Sequence, residues 1–211
     1  MNADRLLLAT RNTNKLTELR RILAASDLCN LRVIGLDDVA PFPQSPETAA
    51  SFEGNALAKA RDAASATGLA TVADDSGLEV DALNGMPGVL SARWAGRHRD
   101  DAANLQLVLD QLADVPDDRR GAAFVCAAAL AMPGSTQTVV RAYWRGTITR
   151  AARGSNGFGY DPIFVPAGEK RTSAELDPAE KDAVSHRGQA LRALLPALRA
   201  LTSNRGVAPQ S

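Results

Sequence analysis

Two adjacent aspartates, Asp74 and Asp75, follow the apolar run Leu69 to Ala73 and precede Ser76-Gly77. Acids at the carboxyl end of a strand sit where an open α/β sheet presents groups to a ligand, and they suit a general base or a magnesium ligand. Neighbouring side chains on an extended chain point opposite ways, so one acid can face a ligand while the other bonds local backbone; a pair that merely shapes a turn fits equally well. A second cluster, Thr10-Arg11-Asn12-Thr13-Asn14-Lys15, gathers hydroxyl, amide and cationic donors at the start of a helical pattern. Such a helix start attracts anions, although the same residues would also serve as plain caps. Lysine occurs only at Lys15, Lys59, Lys170 and Lys181, so Lys15 does not belong to a general lysine coat. Glu47, at the end of a proline-rich loop, and Lys59 are further candidates for the same site.

Later in the chain, Gly154 to Pro162 sets Phe158 and Tyr160 among glycines, which lets backbone approach a flat ligand while a ring offers a stacking face. A tight loop whose rings fill core has the same pattern. Lys181, Ser185, His186 and Arg187 add cations and donors ahead of the last helical repeat. No Walker-type phosphate loop is present, and Pro162 stands where a dinucleotide motif beginning at Gly157 needs glycine or alanine. His98 reads as a solvated loop residue and Cys126 as core.

The elements that must hold these groups follow from periodicity. Arg5 to Thr10 reads as a strand, Asn14 to Ala25 as a helix and Leu31 to Gly35 as a second strand. Pro41, Pro43 and Pro46 keep residues 36–50 irregular. Ser51 to Thr67 forms a helix, with Ser51 its N-cap and Gly68 its stop, and Leu69 to Ala73 forms a strand that ends at the acids. Residues 78–97 are broken by glycine and proline before a helix over Asp100 to Ala113. Arg120 to Met132 and Gln137 to Arg150 make a hairpin about Pro133-Gly134-Ser135. Ile163 to Val165 is a short strand, Leu191 to Leu201 an amphipathic helix, and residues 202–211 a polar, disordered tail. Residues 1–201 are expected to form one continuous α/β domain.

Composition narrows the function classes. Twenty-four basic residues balance 24 acidic ones in 211 residues, which leaves no overall positive field to hold nucleic acid or an anionic membrane. No apolar stretch is long enough for a bilayer span, and no signal core is evident, so a cytoplasmic protein is expected. Two cysteines and two histidines, without ligand spacing, argue against a thiol or histidine zinc site, so any metal must be held by oxygen.

Six segments, taken in order, resemble the inosine triphosphate pyrophosphatase family, also called the Ham1-like pyrophosphatases: LLATRNTNKLTELRRIL, ET with SFEGNALAKAR, ADDSGLEVDALNGMPGVLSARWAG, GFGYDPIFVP, TSAEL and KDAVSHRGQAL. The resemblance implies an α/β fold with a long twisted mixed sheet, flanking helices and two lobes around a central cleft, assembled as a homodimer. It implies magnesium-dependent hydrolysis of inosine, deoxyinosine and xanthosine triphosphates to monophosphate and pyrophosphate, which clears non-standard purines from the nucleotide pool. By the same resemblance, Thr10, Arg11, Asn12, Thr13, Asn14 and Lys15 bind the triphosphate, together with Lys59. Asp75 is general base and magnesium ligand, Glu47 a second carboxylate on the metal, and Ser76 a substrate contact. Phe158, Gly159, Tyr160, Asp161, Lys181, His186 and Arg187 hold the nucleoside. Family members more often carry glycine where this chain has Arg11.

Overall fold

The computed structural model describes residues 5–96, 100–134 and 137–204, the last three of these as backbone only. His98, Ser135 in the hairpin turn and residues 205–211 of the tail lie outside the described residues. The chain order is β1 (Arg5–Leu8), α1 (Thr13–Ala24), β2 (Arg32–Ile34), α2 (Phe52–Thr67), β3 (Ala70–Val80), α3 (Asp101–Gln111), β4 (Gly121–Ala131), β5 (Gln137–Ile148), β6 (Phe164–Pro166), α4 (Pro178–Val184) and α5 (His186–Asn204). The strands form one mixed six-stranded sheet in the order β2-β1-β3-β4-β5-β6. β1 pairs parallel with β2 and β3, whereas β5 and β6 are antiparallel.

The chain divides into two compact units, residues 1–75 with 127–141 and 188–211, and residues 76–126 with 142–187. In the first, Leu7, Ile34 and Ala63 form a small core. α2 buries Ala56, Ala60, Ala63 and Ala64, small side chains that let its axis lie close to its neighbours. Its ends are as the sequence predicts: the Ser51 hydroxyl accepts from the Gly54 amide, and Gly68 takes the left-handed conformation that stops a helix without steric cost. In the second unit the core is aromatic. Phe124, Trp144, Tyr160 and Phe164 join Leu78, Val108 and Leu112, with Phe124 and Phe164 edge-to-face at 4.7 Å between centroids.

The structure departs from the sequence reading at β3, α4 and α5, the last of which also runs past Leu201 to Asn204. β3 does not end at Ala73 but runs on through Asp74, Asp75, Ser76 and Gly77 to Val80, so the acids lie inside a strand and not in a turn. Acids mark turns because an unmatched buried charge is costly; here distant cations match both, and the strand continues. α4 has no counterpart in the periodicity, being short and polar and opened by Pro178. α5 begins at His186, earlier than Leu191, so that His186 and Arg187, both buried, occupy its first turn.

Candidate functional site

In the first unit the side chains converge on β3. Asp74 and Asp75 are adjacent on extended backbone and take different partners, as the alternation of a strand requires. Asp74 Oδ2 lies 2.7 Å from Lys15 Nζ at the start of α1, 59 residues away. Asp75 Oδ1 accepts from Lys59 Nζ at 3.2 Å and Oδ2 from Asn55 Nδ2 at 3.0 Å. Lys59 also donates to Glu47 Oε1 at 2.9 Å. Asn55 and Lys59 are one turn apart on α2, the spacing that sets two side chains on one helix face. One ammonium therefore joins Asp75 to Glu47, and the loop before α2 is registered against the strand through it.

Electrostatics follow from this geometry. Burial pushes the Asp75 carboxyl above the ordinary aspartate range; Lys59 and Asn55 pull it back, and Glu47 adds to the rise. For Lys59 burial acts downward, but the carboxylates of Asp75, Asp74 and Glu47 outweigh it, so the ammonium is held above its usual value. Asp75 is thus a carboxylate with raised proton affinity beside a cation that stays charged, the combination expected of a general base.

The segment before α1 behaves as both capping and presentation. The Thr10 hydroxyl accepts from the Asn12 amide, and the Asn12 side chain accepts from the Asn14 amide as N-cap. Arg11, Thr13 and Asn14 are exposed.

The chemistry of the donor set fits magnesium. Asp74, Asp75 and Glu47 face Lys15 and Lys59, three negative charges against two positive, an excess that would repel a polyphosphate alone and that a divalent ion reverses. Among the described residues no three or more histidine, cysteine or acidic side chains form a metal cage. Magnesium does not need one, since it binds through one or two carboxylates and completes its octahedron with water and phosphate oxygens. Asp75 and Glu47 would supply those two.

The second unit assembles another group. Arg187, 5% exposed, points Nη2 at Ser76 Oγ (3.4 Å), and its guanidinium carbon lies 5.6 Å from the Phe158 ring centre. Lys181 Nζ lies 5.5 Å from the same ring. Two cations against one ring give Phe158, itself exposed, a fixed place. Lys181 also pairs with Asp161, whose Oδ2 accepts from the Phe158 amide at 2.8 Å while Oδ1 accepts from Ser173 Oγ at 2.7 Å. The Gly159 amide donates to Asp101 at 2.9 Å, and the Tyr160 hydroxyl to the Ser91 carbonyl at 2.8 Å. Tyr160 is buried, and burial with the nearby Asp101 charge raises its phenol above the usual value, so it anchors the loop as a neutral group. His186 is stacked on Phe124, 4.9 Å between centroids and 9° from parallel.

Gly157 is a position where this loop needs glycine. Its φ is +79°, and a Cβ there would overlap the Asp161 carboxylate and the Lys181 ammonium. Gly157→Ala is expected to lower stability by about 1–3 kcal/mol through left-handed strain alone. It should also disperse the amide signals of residues 156–161, which thermal unfolding and NMR would register together.

The structure places Lys15, Lys59, Glu47 and Asp75 in one unit and Ser76, Phe158, Asp161, Lys181 and Arg187 in the other. The sequence did not point to Ser173, Asp101 or Ser91, nor by residue type to Asn55, and these hold the named residues in place. Asn55 lies four positions before Lys59 on an amphipathic helix, the one signal that pointed to it.

The model of the Ham1 family matches residues 6–197. The chain is 66% identical over 199 residues to the dITP/XTP pyrophosphatase of Mycobacterium tuberculosis strain H37Rv, covering 94% of this chain and 97% of that protein. It is 65% identical over 201 residues to the dITP/XTP pyrophosphatase of Nocardia farcinica, covering 95% and 98%. Among solved structures, the nucleoside-triphosphatase / dITP/XTP pyrophosphatase of Mycobacterium abscessus superposes with a TM-score of 0.75 at 61% identity, over 91% of this chain and 99% of that one. A HAM1 protein from Coxiella burnetii gives 0.82 at 43% identity, over 93% and 98%. With near-complete coverage at these identities and a matching fold, the chain belongs to the Ham1 family.

Proposed function

We propose that this protein hydrolyses the triphosphates of inosine, deoxyinosine and xanthosine to the monophosphate and pyrophosphate, with magnesium. The observation that carries the reading is the Asp75 carboxylate held between Lys59 and Asn55 with Glu47 on the same ammonium. The name dITP/XTP pyrophosphatase carried by relatives at 65–66% identity supports the substrate class.

Lys15 and Lys59 bind phosphate oxygens, each exchanging a carboxylate contact for a phosphate one as the nucleotide arrives. Asp75, already raised in proton affinity, takes a proton from the water that attacks phosphorus. Magnesium, when bound through Asp75 and Glu47, supplies the charge neutralisation that the pyrophosphate leaving group needs. The exposed Thr13 and Asn14 and the capped turn before α1 offer amide and hydroxyl donors to the same phosphates.

Base selection belongs to Arg187, Lys181 and Phe158. A 6-oxo purine presents an acceptor to a guanidinium, whereas the 6-amino group of adenine presents a donor and leaves both groups unpaired. Phe158 offers the ring face against which a purine stacks. Guanine also has a 6-oxo group, so its exclusion rests on the 2-amino position. A cytoplasmic homodimer acting on free nucleotides completes the reading, and the equal numbers of acidic and basic residues support free nucleotide over nucleic acid.

The test is a panel of triphosphates with magnesium and with chelator. Inosine, deoxyinosine and xanthosine triphosphates should be turned over far faster than ATP or GTP, and only with the metal. Equal rates on ATP, or rates unaffected by chelator, would overturn the reading.

A further inference from the structure

Asn55 is 2% exposed, and its side chain lies between two elements that carry chemistry. Its Oδ1 accepts from the Ala49 amide at 2.9 Å, and its Nδ2 donates to Asp75 Oδ2 at 3.0 Å. A main-chain N–H can only donate, so the carbonyl end of the amide must face Ala49 and the NH₂ end must face Asp75. The orientation is imposed by the loop and handed on to the carboxylate. Ala49 lies two residues after Glu47, so one amide ties the loop bearing Glu47 to the strand bearing Asp75. Lys59, one turn further along α2, spans the same pair by charge.

From this geometry we infer that Asn55 is a positioning residue for hydrolysis: it occupies Asp75 Oδ2, turns Oδ1 toward Lys59 and the reacting water, and fixes the register of Glu47 against Asp75. The inference deepens the proposed function and rests on Asp75 being the base. An ion pair with Lys59 alone would not do this, since a four-carbon ammonium stem tolerates many carboxylate rotations, whereas a buried amide with one permitted orientation does not.

The variant that separates positioning from mere packing is Asn55→Asp. It keeps the acceptor for Ala49 and the side-chain volume but replaces the donor with an oxygen facing Asp75. Asn55→Asp and Asn55→Ala are each expected to lower kcat for inosine triphosphate by about 10- to 100-fold, the usual loss when a group orienting a reactive ligand is removed. KM should change little, because neither variant touches the substrate. A residue that only held the loop would give near wild-type kcat in Asn55→Asp, and that result would overturn the inference.

A second measurement does not depend on turnover. In the metal-free wild-type protein the Asn55 side-chain NH₂ protons should be protected from exchange and shifted, and Asp75→Ala should abolish both effects. Unchanged Asn55 signals in Asp75→Ala would refute the contact even if a buried substitution at Asn55 failed to fold. Absence of pyrophosphate release by the wild type, with the NMR response intact, would sink the proposed reaction while leaving the contact standing.

Discussion

Asp75→Asn is expected to lower turnover of inosine triphosphate by about 10²- to 10⁴-fold, the range for losing a positioned general base. It is also expected to leave the protein at least as resistant to heat at neutral pH. The second half follows from the direction of the Asp75 pKa. Burial raises it, the Lys59 ammonium and the Asn55 amide only partly offset that rise, and Glu47 reinforces it. The folded metal-free protein therefore holds the Asp75 proton more tightly than the unfolded chain does. By linkage, the stability from that preference is fully present below the ordinary aspartate value of about 3.9 and is lost as pH rises through the raised value. At neutral pH the carboxylate is ionised and its burial is a net cost, which asparagine, of the same shape, does not incur. Melting curves of both proteins without metal should converge at acidic pH and separate in favour of Asp75→Asn as pH rises. A variant that melts well below the wild type at neutral pH would show that the Lys59 and Asn55 contacts outweigh burial.

Arg187→Ala is the second large effect. The guanidinium is buried, borders the Phe158 ring and reaches Ser76, so its removal takes away both a charged donor and one side of the ring's support. A hydrogen bond to a charged group contributes about 1.5–3 kcal/mol, hence a loss of about 10- to 100-fold in kcat/KM on deoxyinosine triphosphate. The loss on ATP should be much smaller, because its 6-amino group gains nothing from the guanidinium. The preference for deoxyinosine over adenosine triphosphate therefore narrows. Equal losses on both substrates would make Arg187 a phosphate contact or a structural residue, and side-by-side progress curves decide it.

Much of the fold could be read from local pattern. The limits of α2 followed from Ser51 and Gly68, because caps are local chemistry and their partners lie within four residues. The end of β3 did not, because what permits two aspartates inside a strand is Lys15 and Lys59, 59 and 16 residues away in the chain. A single sequence shows the charges but not their pairing. α4 escaped for a different reason: a short polar helix opened by proline has no buried residues and hence no apolar period to detect.

The candidate site divides along the same line. Residues whose chemistry is conspicuous, Lys15, Glu47, Asp75, Lys181 and Arg187, stood out by type and by their place in the motifs. Those that act through another side chain, Asn55 on Asp75 and Ser173 on Asp161, carry no such mark. Twenty and 12 residues separate these pairs, and an asparagine or serine in isolation is more often a cap or a surface group. Tyr160 shows the reverse: its ring suggested a stacking face, yet its hydroxyl is spent on the Ser91 carbonyl and its ring lies in the core, leaving Phe158 as the exposed aromatic.

The most direct trial of the account is to give deoxyinosine triphosphate and magnesium to the wild-type protein and to Asp75→Asn, and to quantify pyrophosphate and orthophosphate separately from the first turnovers. One pyrophosphate per monophosphate, no early orthophosphate, and near silence from the variant are expected. Orthophosphate as first product, or an Asp75→Asn protein that keeps pace with the wild type, would contradict the proposed reaction.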